Sequence, residues 1–337
     1  MTAAQLDVVA IGNALVDILT KAEDSFLAAH QIPKGSMTLI DEDRATQLYD
    51  AMGPAVEVSG GSAGNTAAGV ASLGGKAAFL GKVRDDQLGN IFTHDIRAAG
   101  VAFDTAHATT GPATGRSMIL VTPDAARSMN TFLGAAVHFA PEDVDQTKVE
   151  AAAVTYMEGY LWDSSSAKAA FLRAARLAHG AGRKISLTLS DPFLVERYKA
   201  ELKDFIAAHV DIVFANEEEV CGLFDVPNFD AALQAVRATC ETAALTRSEK
   251  GAVIVSGEEV HVVDAAPVPA VVDTTGAGDL FAAGFLYGIT NGYGLYDSGR
   301  IGAIAAAEVI SHVGARPEQS LAALVSGQLG LAQAQRA

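Results

Sequence analysis

KISLTLSDPFLVERYKAELKDFIAAHVDIVFA, residues 184–215, decides the fold class. Residues 184–189 are a short apolar run, residues 194–208 place apolar side chains at helical spacing, and residues 211–215 are a second apolar run. The same alternation extends outward in both directions. Strands are predicted at residues 7–12, 77–83, 153–161 and 242–246, and helices at 63–73, 87–99 and 166–179. Apolar strands alternating with amphipathic helices predict an α/β fold with a largely parallel sheet covered on both faces. Ligands of such sheets bind beyond the carboxyl ends of the strands, so that is where candidate site residues are sought.

The 337 residues include 24 Lys and Arg against 40 Asp and Glu, a net charge of −16. Half the residues are hydrophobic and 19% are charged, the opposite of a disordered composition. The acidic balance argues against nucleic acid as a partner, because phosphate neutralisation needs clustered Lys and Arg. Cys221 and Cys240 make neither a disulfide framework nor a zinc-ligand spacing, so a reduced, cytoplasmic setting is expected. The N-terminal stretch lacks a basic region and is interrupted by Asp7 and Asp17, so it reads as a buried strand rather than a signal peptide. No stretch of about 18 uncharged apolar residues occurs, and no membrane span is expected.

Two stretches depart from the alternation. IPKGSMTLI (32–40) and SMILVTPDAARSMNTFLGAA (117–136) read as strands with turns and no crossover helix, the second with a hairpin turn at Pro123-Asp124. They predict either a small β-rich lid inserted into one core or extra edge strands of the main sheet.

Near the C-terminus, VVDTTGAGDLFAAGFLYGI (271–289) leads from apolar residues through Asp273-Thr274-Thr275 into Gly276-Ala277-Gly278-Asp279 and then a helical run. Small residues at a helix start let unpaired backbone N–H groups approach an anion such as a phosphate. Asp279 beside them could take a proton from an alcohol attacking the γ-phosphate of ATP. It could equally complement the helix N-terminus, worth about 0.3–1 kcal/mol. A Walker A run is absent, and the third glycine of a dinucleotide fingerprint is replaced by Phe281. A second cluster, Gly60-Gly61-Ser62-Ala63-Gly64-Asn65, precedes another helix of small residues. There Asn65 could exchange hydrogen bonds with a hydroxyl, or simply cap a glycine-rich turn.

Together GGSAGNTAAGVASLG (60–74) and DTTGAGDLFAAGFL (273–286) resemble the paired signatures of the PfkB, or ribokinase-like, family of small-molecule kinases. Within it the chain is most similar to adenosine kinases, through AIGNALVDIL (10–19), ISLTLSDPFLVERYKAEL (185–202), VDIVFANEEEV (210–220) and the arginine-bearing turn before SMNTFLGAA (128–136). Asp191 stands where eukaryotic members carry a small residue.

The resemblance implies a ribokinase-like three-layer sandwich with a β-rich lid formed by about 13–40 and 113–137. It implies ATP-dependent phosphorylation of the 5′ hydroxyl of a ribonucleoside such as adenosine, with a free sugar as the alternative acceptor. Asp279 would be the base, and Gly276, Ala277 and Gly278 the anion hole. Asn13, Asp17, Gly60, Gly61 and Asn65 would bind the acceptor, with Arg127 over the phosphates and Phe193 against a base. Asn216, Thr246, Gly251, Thr275, Gly276 and Gly278 would contact ATP. Glu219 and Asn216 would organise Mg²⁺ through water, and a monovalent cation such as K⁺ is a further expectation. The partners would be these small molecules, on a monomer or homodimer.

Overall fold

The computed structural model describes residues 4–124 and 126–330 of the chain. Among them, the strands in chain order are β1 (Leu6–Ile11), β2 (Leu15–Lys21), β3 (Met37–Leu39), β4 (Val56–Gly60), β5 (Ala77–Leu80), β6 (Gly115–Val121), β7 (Arg127–Phe132), β8 (Ala152–Glu158), β9 (Lys184–Thr188), β10 (Ile212–Asn216), β11 (Thr242–Thr246), β12 (Ala252–Ser256) and β13 (Glu259–Val263). Eight of them form the main sheet, ordered β13-β12-β11-β10-β9-β8-β1-β5. It is parallel from β11 to β5, and the last two strands, β12 and β13, are an antiparallel hairpin on its edge.

Strand residues alternate between two cores. Val8, Ala10, Phe79, Tyr156, Ile212 and Phe214 face the layer made by the helices Ser62–Ser72, Ala277–Thr290 and Leu295–Val309. Val9, Ile11, Leu80, Met157, Ile185 and Val213 face the helices Ser165–Gly180, Pro192–His209, Glu217–Phe224 and Phe229–Arg237. Because both faces are buried, the strands read as apolar runs rather than as an alternation of apolar and polar residues. The three-layer α/β sandwich expected from the alternation is present, and the strand–helix–strand unit of 184–215 lies at its centre.

A second sheet, ordered β3-β7-β6-β2-β4, stands beside the main one. Its β6–β7 pair is the hairpin expected at Pro123-Asp124: the strands are antiparallel from Arg116↔Phe132 to Val121↔Arg127. Residues 32–40 contribute less strand than their composition suggests. Pro33 and the positive-φ Gly35 (φ 72°) turn the chain, so only Met37–Leu39 pairs. A helix, Glu42–Ala51, does follow, started by Asp41 accepting from the Arg44 N–H. β4 returns the chain to this sheet, so it also draws on residues 56–60. No described helix is long and apolar enough to cross a membrane.

Candidate active site

Gly276 caps the helix Ala277–Thr290 from the left-handed region, φ 81° and ψ −2°. A Cβ there would come 2.9 Å from that of Ala315, so glycine serves both the turn and the close approach. The Ala277 N–H is used by Thr274 O, and helix pairing begins with Leu280 N–H on Gly276 O. Among the described residues, the Gly276, Gly278 and Asp279 N–H groups have no backbone acceptor, and Gly278 is exposed with open space before it. These N–H groups make an anion cradle at the positive end of a helix.

Asp279 projects from the same first turn. Its carboxylate accepts from Ser62 Oγ at 2.6 Å and Asn65 Nδ2 at 2.9 Å, which joins the two glycine clusters across 214 residues of chain. Burial raises its pKa above the ordinary carboxylate value, opposed by those two hydrogen bonds and by the charge of Arg316.

The Gly60–Asn65 turn also shapes the ground beside Asp17. A Cβ at Gly60 would lie 2.4 Å from the Asp17 carboxylate, so the acid lies directly over the glycine. Gly61 has φ 87°, and a Cβ on it would strike Asn13 O at 2.1 Å. Asp17 is pushed up to about 6, first by burial and also by Asp279, while Arg316 and Arg127 pull it down. Asn13 donates its Nδ2 to Glu158 at 2.7 Å. Among the described residues the Oδ1 atoms of both Asn13 and Asn65 are buried without a hydrogen-bond donor. Unpaired buried acceptors beside two carboxylates are the complement of a ligand rich in hydroxyl groups.

Farther along the strand ends, Asn216 and Thr246 are register partners on β10 and β11. Asn216 and Glu219 close a reciprocal capping box: Glu219 accepts from the Asn216 N–H at 2.9 Å and Nδ2 at 2.8 Å, and Asn216 accepts from the Glu219 N–H. Glu219 is buried and pushed up to about 7, by desolvation and by the charges of Asp191 and Glu218. No described group of three His, Cys, Asp or Glu could grip a metal directly. The hard oxygens of Glu219 and the negative field there do suit Mg²⁺ keeping its own waters. Gly251, at φ 81°, closes the turn after β11 by accepting from the Arg247 N–H at 2.8 Å.

Two residues stand differently from the expectation. Arg127 reaches the turn that carries the anion cradle but is not free there; its guanidinium is ion-paired with buried Asp273, which also accepts from the N–H of Thr275 at 3.0 Å and of Gly314 at 2.8 Å. Phe193 is 87% exposed in the first turn of its helix, with its N–H fixed by Asp191, and lines no buried slot. Two tyrosines stand beside the carboxylates: buried Tyr156 on β8 and Tyr160 just past it, which is 36% exposed as a whole residue; desolvation of the phenols and the charges of Asp279 and Glu158 push both upward.

Sequence reading passed over Ser62, Glu158, Tyr160 and Arg316. Glu158 is buried, accepts from the Asn13 and Ala63 N–H groups at 3.3 and 2.9 Å, and is pushed up to about 7 by burial. The signal that could have found it is an acid closing the otherwise apolar run AAVTYME of β8.

The pfkB family carbohydrate kinase model matches residues 37–321 of the chain. A structure described as a probable sugar kinase from Rhizobium etli CFN 42 is 54% identical, with a TM-score of 0.90 and coverage of 97% of this chain and 99% of that one. An adenosine kinase structure from Sinorhizobium meliloti is likewise 54% identical, with a TM-score of 0.89 and coverage of 97% and 100%. The adenosine kinase of Saccharomyces cerevisiae is 28% identical over 328 residues, 91% of this chain and 95% of the yeast protein. With both glycine clusters folded into one cleft and the family model spanning most of the sequence, this chain belongs to the pfkB family of carbohydrate kinases.

Proposed function

We propose that this ATP-dependent kinase phosphorylates the 5′ hydroxyl of a ribonucleoside, adenosine foremost, to give the monophosphate and ADP. The observation that carries the reading is Asp279, held by Ser62 and Asn65 at the mouth of the unpaired N–H groups of Gly276 and Gly278. A carboxylate there accepts the proton of the attacking hydroxyl while the N–H groups stabilise charge on the transferred phosphoryl oxygens. Asp17, the free amide oxygens of Asn13 and Asn65, and the Gly60–Gly61 backbone take the ribose hydroxyls, with Tyr160 rather than Phe193 as the aromatic wall.

ATP lies along the strand ends, against Thr275, Asn216, Thr246 and Gly251. Asn216 and Glu219 would hold the waters of a Mg²⁺ ion, which would supply positive charge against the ATP phosphates. The second sheet, with the stretches 13–40 and 113–137 and also β4, acts as the lid. In closing it excludes water as a competing acceptor. Arg127 turns to the phosphates when they compete with Asp273 for its guanidinium.

Adenosine rests on the Sinorhizobium meliloti and Saccharomyces cerevisiae relatives. A free sugar is the second reading, favoured by the equally similar Rhizobium etli protein. Mg·ATP-dependent phosphorylation of a panel of nucleosides and free sugars, read by product mass, tests the two. Turnover of adenosine is expected. Turnover of a sugar with no nucleoside would overturn the acceptor and leave the base and anion cradle in place.

A further inference from the structure

Three consecutive residues after the helix Leu295–Val309 each touch the site. Gly314 donates its N–H to Asp273, Ala315 packs against Gly276, and Arg316 reaches the other glycine turn. Arg316 Nη1 donates to Gly64 O at 2.9 Å, and Nη2 donates to Ser59 O and Oγ at 2.9 and 3.0 Å. Ser59 is fixed in turn by Asp95, whose carboxylate accepts from its N–H at 2.8 Å and its Oγ at 2.5 Å. Arg316 thus holds the turn that carries Ser62 and Asn65, the two residues that orient Asp279. Among the described residues its Nε is buried without a hydrogen-bond partner.

We propose that Arg316 is a positioning residue for phosphoryl transfer, clamping the Gly60–Asn65 turn to the C-terminal segment and keeping a fixed positive charge beside Asp17 and Asp279. This rests on the reading of Asp279 as the base. Its charge opposes the burial that raises both carboxyls, so each sits lower than burial alone would put it. The charged and titratable groups around Asp279 are Asp17 from β2, Glu158 from the end of β8, Tyr156 and Tyr160 from β8 and the turn after it, and Arg316. Arg127, from β7, bears on Asp17. Arg316 is the cation among these that acts on both carboxylates, whereas Arg127 is engaged with Asp273.

The test is the pH profile of kcat/KM for the acceptor in the full chain. Arg316→Gln should move the acid limb up by about one pH unit, and Arg316→Lys should return most of that shift while leaving the acceptor KM raised. A limb that stays in place while kcat merely scales down, or a lysine no better than glutamine, overturns the inference. Should Arg316→Gln not fold, Asp95→Asn gives the second arm. It loosens Ser59 but leaves the guanidinium charge, so the acceptor KM should rise with the acid limb unmoved or lowered, and a raised limb overturns the proposal. Asp279→Asn separates the two failures. Retained turnover there sinks the base itself, whereas lost turnover with an unmoved Arg316→Gln limb sinks only the role of Arg316.

Discussion

Gly60 and Gly61 occupy ground where one methyl group would displace the acceptor site. Gly60→Ala puts a carbon 2.4 Å from the Asp17 carboxylate, and the acid must move. The acceptor KM should rise by about tenfold or more while ATP affinity holds, because a shift of about 1 Å can cost up to 10²-fold; an unchanged KM would remove Asp17 from the site. Asp279→Asn should lower kcat by about 10²–10⁴-fold, the range for losing a general base, again with ATP binding retained. Asp17 itself, at about 6, adds a pH signature. Below that pH its proton removes an acceptor site for the ribose hydroxyls, so the acceptor KM should climb on the acid side and stay flat above about 7. Asp279 and its glycine turn were legible in the sequence because the whole device is local, seven residues from Asp273 to Asp279. Glu158 and Arg316 were not, because their partners lie 145 and 252 residues away, beyond the reach of any local pattern.

Among elements, the helix Glu217–Phe224 has the most explicit local code. Asn216 and Glu219 satisfy each other's backbone N–H groups, so N-x-x-E is here a start signal for a helix as well as a candidate nucleotide contact. Asn216→Ala should cost about 1 kcal/mol of stability, seen as a fall of about 1–2 °C in melting temperature for a chain of this length. If it also weakens ATP binding, the capped turn serves both purposes; unchanged ATP affinity would confine Asn216 to the cap. The elements legible in advance were the buried strands and the longer helices, whose patterns are set by burial on both faces of the main sheet. β4 and β13 were missed because five-residue strands at a sheet edge mix exposed and buried positions and lose the apolar run that marked the others; β2 and β12 were passed over as separate strands although both are mostly buried. Residues 32–40 were over-read for the converse reason: apolar Ile32 is buried from a loop, not from a strand.

For the whole molecule, the cleft gathers buried carboxylates that the fold does not fully compensate. Glu158 and Glu219 are raised from 4.5 to about 7, and Asp17 from 3.8 to about 6. A raised acid binds its proton more tightly folded than unfolded, so its contribution to stability is full below the unfolded value and is lost as pH climbs through the folded one. The unliganded protein should therefore lose stability between about pH 4.5 and 7, on the order of a few kcal/mol in all. His209, whose pKa burial lowers, works the other way, one group against four raised carboxyls once Asp279 is included. The net charge of −16 adds self-repulsion in the same direction as the acids. Melting temperatures measured from pH 5 to 7.5 should fall, and Glu158→Gln should flatten part of the slope because its site no longer titrates. A rise over that range would mean these carboxylates are paired and solvated far better than their burial allows. Clustered, destabilising acids at the carboxyl ends of a parallel sheet are what a site needs if it is to take protons and hold hydroxyl groups. The stability lost at neutral pH thus has the same origin as the proposed chemistry.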